Sequence, residues 1–137
     1  MATDPTFAAT PNDGTPAILG VLETSLTVPT TTSTIFSAGA NGSLLLEVDA
    51  EAVAASLTPT TVAGLIYMFL HDGSTYHLFD TIPVTAVTAS ATVAPWRATP
   101  KQYYPGIILK TGWTLRCSQS IAGNNSLLKV TAFGLDA

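Results

Sequence analysis

Apolar and polar residues alternate with period two through much of this chain, the spacing of pleated strands rather than of helices. Leu44, Leu46, Val48, Ala50 and Ala52 alternate with Leu45, Glu47, Asp49 and Glu51. This predicts a half-buried strand over 43–53, with the first set facing a core and the acids facing solvent. Residues 61–71 differ, because Ile66, Met68 and Leu70 would share one face while Leu65, Tyr67 and Phe69 share the other. A strand that is apolar on both sides has to be covered on both. Its second face therefore predicts contact with another subunit or with a loop. Asp72-Gly73 reads as a two-residue hairpin turn into residues 75–84, which sets His71 opposite Ser74 and His77 opposite Met68.

Further strands are expected at 17–22, 25–28, 34–37 and 87–93. The last third adds three more, at 106–110, 113–118 and 127–133, separated by a Thr-Gly turn and a Gly-Asn-Asn turn. Trp113, Leu115, Cys117, Leu128 and Val130 are the expected core positions of those closing strands. Asn41-Gly42 supplies another turn, and the 22 threonines favour a pleated backbone along the whole chain. Eight or nine short strands without a convincing long helix predict an all-β fold, a sandwich or barrel, and the count suits a jelly-roll β-sandwich of about eight antiparallel strands. Residues 17–137 form that single domain. Residues 1–16 hold three prolines, an Asn-Asp-Gly turn and Phe7 as the one large apolar group. They read as a frayed terminus or as an extended N-terminal arm that hooks a neighbour with Phe7.

The connection at 96–106 is rich in proline and carries Trp96, Tyr103 and Tyr104 beside Arg97 and Lys101. Aromatics next to cations fit the anchors of a protein interface, or else they cap one end of the sandwich.

Composition sharpens this. Charged residues make up 10% of the chain, against about 25% in ordinary soluble proteins, while hydrophobic residues make up 47%. With so little charge, threonine, serine, alanine and exposed apolar groups must cover the surface, and burial against further copies is the natural expectation. The five cations are outnumbered by nine carboxylates, for a net charge of -4. They do not cluster, which argues against a nucleic-acid partner. No apolar run is long enough to span a bilayer and no secretion signal opens the sequence, so no membrane partner is expected. The single Cys117 permits no internal disulfide and reads as a small buried hydrophobe.

The search for chemistry returns no constellation. There is no Gly-x-Ser-x-Gly and no phosphate-cradling glycine loop. Glu47, Asp49 and Glu51 at alternate strand positions read as solubilising charges rather than an acid–base pair. His71 and His77, with Asp72 and Asp80 nearby, do not converge on the predicted hairpin as zinc ligands must. The expectation is a protein that is not an enzyme, with no metal and no cofactor.

Four segments carry a resemblance: Phe36-Ser-Ala-Gly-Ala-Asn-Gly-Ser43, Ala63-Gly-Leu-Ile-Tyr-Met-Phe-Leu-His-Asp-Gly73, Gly112-Trp-Thr-Leu-Arg116 and Val130-Thr-Ala-Phe-Gly134. In this order they resemble a family of small tailed-bacteriophage structural proteins, the capsid cement or decoration proteins. The resemblance implies a jelly roll that forms homotrimers on the virion, made in the host cytoplasm and seated on the outer surface of the capsid where major capsid protein subunits meet. On that reading Leu65, Tyr67, Phe69 and His71 form the trimer interface. Phe7, Trp96, Arg97, Tyr103 and Tyr104 then contact the capsid. A receptor- or carbohydrate-binding module of a phage tail or fibre is the alternative.

Overall fold

The computed structural model describes residues 10–54, 58–120 and 127–137. Among them are nine strands and no helix. The strands are β1 (Thr10–Asn12), β2 (Ala17–Leu19), β3 (Ser33–Ser37), β4 (Ser43–Val53), β5 (Gly64–His71), β6 (Tyr76–Val84), β7 (Lys101–Leu109), β8 (Thr114–Gln119) and β9 (Leu127–Asp136). They make two antiparallel sheets. Sheet A runs β1-β9-β4-β7, with β2 also on β9, and sheet B runs β3-β8-β5-β6. The pairings nest: β5 with β6, then β4 with β7, β3 with β8 and β2 with β9.

One core fills the space between the sheets. Leu45, Val48 and Val130 enter it from sheet A, and Ile66, Met68, Leu115 and Cys117 from sheet B, all without exposed surface. Each large apolar side chain removed from water in this way stabilises the fold by roughly 1.5–3 kcal/mol. Of the five core positions expected in the closing strands, Leu115, Cys117, Leu128 and Val130 are buried, while Trp113 packs half-buried at the margin. Its ring lies 5.9 Å from the Lys110 ammonium.

The face assignment of β4 needs correction. The register shifts between Leu45 and Glu47 against both β7 and β9, so Leu46 is an extra residue. A bulge of this kind reverses the alternation on one side of it. Leu45 and Val48 therefore both point inward, and Leu44 turns to the outer face. Gly134 stands opposite Leu45, where a β-carbon would meet the Leu44 carbonyl oxygen at 2.2 Å and the Phe36 ring at 2.8 Å. Only glycine admits that approach.

Other expectations also change. Residues 25–28 form no strand; they belong to a loop gathered around Glu23. Residues 87–93 form none either. Thr88 makes one isolated bridge to Thr60, and the Thr61 hydroxyl, donating to the Thr85 carbonyl and accepting from the Val87 amide, ties the segment down in place of a ladder. The strand expected at 106–110 begins earlier, at Lys101, so the second half of the expected connection belongs to the edge strand β7, where Pro105 is tolerated because an edge has free backbone positions. The hairpin after β5 is longer than two residues: the Asp72 amide donates to the Thr75 carbonyl at 3.2 Å, and His71 pairs with Tyr76. Residues 10–12 pair with β9, and the Asn12 side chain donates to Asp136 and to the Ser37 carbonyl, so this part of the expected arm is bound to the sandwich. Phe7 lies outside the described residues.

Candidate interaction surfaces

The outer face of sheet B is built on β5. Tyr67, Phe69 and His71 point outward on it, with Arg116 of β8 opposite Phe69 and Tyr76 of β6 opposite His71. Tyr76 lies over this face. Its ring meets Phe69 edge-on at 6.0 Å and stands 4.3 Å from the His71 ring. Its hydroxyl accepts a 3.0 Å hydrogen bond from Arg116 Nη1 and lies 3.3 Å from the Thr32 hydroxyl. The Arg116 guanidinium is 5.6 Å from the centre of the same ring, a cation–π contact. Tyr67 closes the other side at 6.4 Å from Phe69.

Phe69 is consequently 0% exposed although it lies outside the inter-sheet core. It presents no surface to a neighbour, contrary to its expected place in a trimer interface. Leu65 is exposed, and Tyr67 and His71 are half-buried around it.

The second cover of this face is the loop of residues 22–32. Glu23 is buried, and its carboxylate accepts from the amides of Thr24, Ser25, Thr30 and Thr31 and from the Thr31 hydroxyl at 2.7–3.0 Å. Burial pushes its pKa up, but the hydrogen bonds from Thr31, Ser25 and Thr30 outweigh that and bring it down to about 2. The loop is pinned where the Glu23 amide donates to the Gln119 carbonyl and where the Thr31 hydroxyl meets Ser118.

Sheet A offers a different outer face. Leu44, Ile108 and Leu135 stand in register across β7, β4 and β9 and line a hollow of about 300 Å³. Gly106, at φ +127°, lies directly beneath Leu44, where a β-carbon would come within 2.7 Å of that side chain. Ile108 is 75% exposed, and Tyr104 on the same edge strand is 99% exposed. Farther along, the carboxylates are matched. Asp49 meets Arg97 at 3.3 Å, Glu51 meets Lys129 at 3.8 Å, and Glu47 accepts from Gln102 at 3.2 Å.

The aromatic connection divides into structural and exposed members. Trp96 is 5% exposed and belongs to the core. Its carbonyl accepts from the Ala52 amide, and the Ala98 amide donates to Ala50, so the segment extends the sheet edge beyond β7. Trp96 thus caps the sandwich end and is no exposed anchor. Tyr103 is half-buried against Phe79, 5.2 Å away, and donates to Asp80 at 3.0 Å. Burial, with Asp80 beside it, pushes its hydroxyl pKa well above the usual range. Arg97 and Tyr104 remain exposed. Trp96, Pro83, Pro95, Arg97 and Lys101 contribute to a groove of about 580 Å³.

His71 and His77 project to opposite faces of the hairpin. His71 accepts from the Gly73 amide, and His77 lies 3.1 Å from Asp72. Among the described residues no group of three or more His, Cys, Asp or Glu side chains could hold a metal ion. Burial pushes the Cys117 thiol up to about 12, so it is protonated at neutral pH. Sequence reasoning missed Tyr76 and Arg116 as the organisers of sheet B's outer face. The signal for Tyr76 depended on a turn length that local composition does not fix. Comparison with known protein families, curated proteins and solved structures gives no match to this chain.

Proposed function

We propose that this chain is a non-enzymatic structural protein of a phage virion, a jelly-roll decoration protein that assembles as a homotrimer on the outer capsid surface and clamps neighbouring major capsid subunits. The jelly-roll reading is supported by the nested pairing of β2 through β9, in which each successive pair wraps around the hairpin inside it. The observation that carries the functional reading is where the resembling segments fall. They make the end of β3 and the turn into β4, β5 with the start of its hairpin turn, the start of β8, and the middle of β9, so the likeness touches both sheets. Fold alone assigns no role, and the exposed apolar groups of a chain with 10% charged residues add the second support.

In this reading Leu65, Tyr67 and His71 contribute to contact between copies, while Phe7, Arg97 and Tyr104 meet the capsid. A clamp of this kind holds by engaging several neighbours at once. The test is reconstitution. Purified protein added to capsids that lack it should bind at saturating, capsid-symmetric copy number and raise their resistance to heat. Removal of residues 1–9 should leave a folded protein with weakened capsid binding. A few copies per particle, confined to the tail, would favour the receptor- or carbohydrate-binding alternative.

A further inference from the structure

Charge is sparse enough on this chain that each described ionised group can be followed to its partner. Arg97 lies against Asp49, Lys101 against Asp80, Lys129 against Glu51, and His77 against Asp72. Asp136 is held by Asn12 and Ser43, Glu47 by Gln102, and Glu23 by its own loop. Among the described residues this leaves Lys110 and Arg116 with no carboxylate beside them, and Asp13 as the side-chain carboxylate with neither a cation nor a hydrogen-bond donor.

Lys110 is exposed, and a solvated ammonium requires no partner. Arg116 is half-buried. Its Nε donates to the Thr114 hydroxyl at 3.1 Å and its Nη1 to the Tyr76 hydroxyl at 3.0 Å. Both acceptors are neutral, and a guanidinium has five N–H groups arranged to grip a carboxylate. A partly desolvated cation with neutral partners alone is an incomplete pair. The aromatic shelf of Tyr67 and Tyr76 beside it has the composition of an interface centre.

Asp13 is exposed on the short segment between β1 and β2, at the side of the sandwich. That segment is held firmly. The Thr15 amide donates to the Ile35 carbonyl at 2.9 Å, the Gly14 amide to the Asn12 side chain, and Asn12 in turn to Asp136.

We infer that the outer face of sheet B is where one copy meets the next, with the carboxylate of Asp13 of the partner subunit seated against the Arg116 guanidinium beside Tyr67 and Tyr76. The inference rests on the self-associating reading above and adds to it the contact's register and polarity. An edge of one copy meets a face of the next, so the contact is heterologous. Edge and face do not point in opposite directions, so repetition can close into a ring rather than an open stack. Copies with a net charge of -4 repel one another in general. A cation–carboxylate pair at the contact then selects orientation more than it adds affinity.

The test is a charge-swap cycle on the full chain, read by sedimentation velocity across a concentration series. Asp13→Lys and Arg116→Glu should each weaken assembly by about tenfold or more, and the combined variant should recover most of that loss. Raising the salt should weaken the wild-type assembly relative to Arg116→Gln, in which only the general like-charge repulsion is left to be screened. An assembled wild type whose single reversals have no effect, or whose combined variant is as weak as the worse single one, overturns the pairing while the trimer reading stands. A wild type that stays monomeric at every concentration overturns both. Should Arg116→Glu not fold, Asp13→Asn with Arg116→Gln makes the same cycle, and strictly additive losses reject the pair.

Discussion

The two sheets treat their outer faces in opposite ways. Sheet B hides the large apolar residue on its outer face: Phe69 lies under Tyr76 and Tyr67, and the loop around Glu23 is tied to Ser118 and to the end of β8. Sheet A leaves Ile108 and Tyr104 in solvent around an apolar hollow, then lines the rest of its face with matched charges. The contrast separates two kinds of outward apolar residue. One kind belongs to a small second core that the chain builds for itself and stabilises the monomer. The other adds little to the monomer and is available to a partner.

That distinction can be broken most directly at its centre. Phe69→Ala should cost about 3–4 kcal/mol in urea unfolding, the scale of an inter-sheet core position. Ile108→Thr on the opposite face should change stability by less than about 0.5 kcal/mol. Equal losses at the two sites would erase the difference between the faces.

The loop cover gives the next effect. Glu23→Gln replaces an acceptor that serves four amides with a group that brings its own N–H donors, and a loss of roughly 2 kcal/mol is expected at neutral pH. The sign of the pH dependence follows from the lowered pKa. The carboxyl is more acidic in the folded protein than its ordinary 4.5, so its contribution is complete above that value and is lost as pH falls toward about 2. Unfolding measured between pH 7 and pH 2 should show the gap between wild type and Glu23→Gln closing on the acid side; a constant gap would reject the account.

The smallest effect sharpens the comparison further. Tyr76→Phe keeps the ring over Phe69 but removes the hydroxyl that joins Arg116 to Thr32. It should cost about 1 kcal/mol and leave Phe69 covered. Tyr76→Ala, by contrast, should approach the loss seen for Phe69→Ala.

Much of the fold was legible residue by residue. The strand over residues 43–53 with its inward Val48, Ala50 and Ala52, the strands flanking His71 and Tyr76, and the inward set Leu115, Cys117, Leu128 and Val130 all follow from period two with β-forming side chains. The candidate surfaces were legible only in part. Alternation sets Leu65, Tyr67 and His71 on one face of β5, and they lie together on its outer face; Tyr104, expected at an interface, is exposed. Alternation sets Phe69 on that same face, yet its burial depends on Tyr76 arriving from across the hairpin. Trp96 read equally well as an anchor or a cap, since nothing local distinguishes a buried indole from an exposed one.

By itself, then, the sequence determined the all-β class, most strand positions, and a surface poor in charge, because side-chain alternation and β-propensity are local properties. Tertiary structure decided the bulge at Leu46 that turns Leu44 outward, the loop built around Glu23, the extension of the strand expected at 106–110 back to Lys101 as a sheet edge, and the covering of Phe69. Each of these depends on a partner distant in the chain: Gly134 opposite the bulge, Gln119 and Ser118 against the loop, β4 beside β7, and Arg116 and Thr32 holding Tyr76. A bulge or a buried carboxylate costs free energy until that partner is in place, so no window of neighbouring residues records which way it will fall.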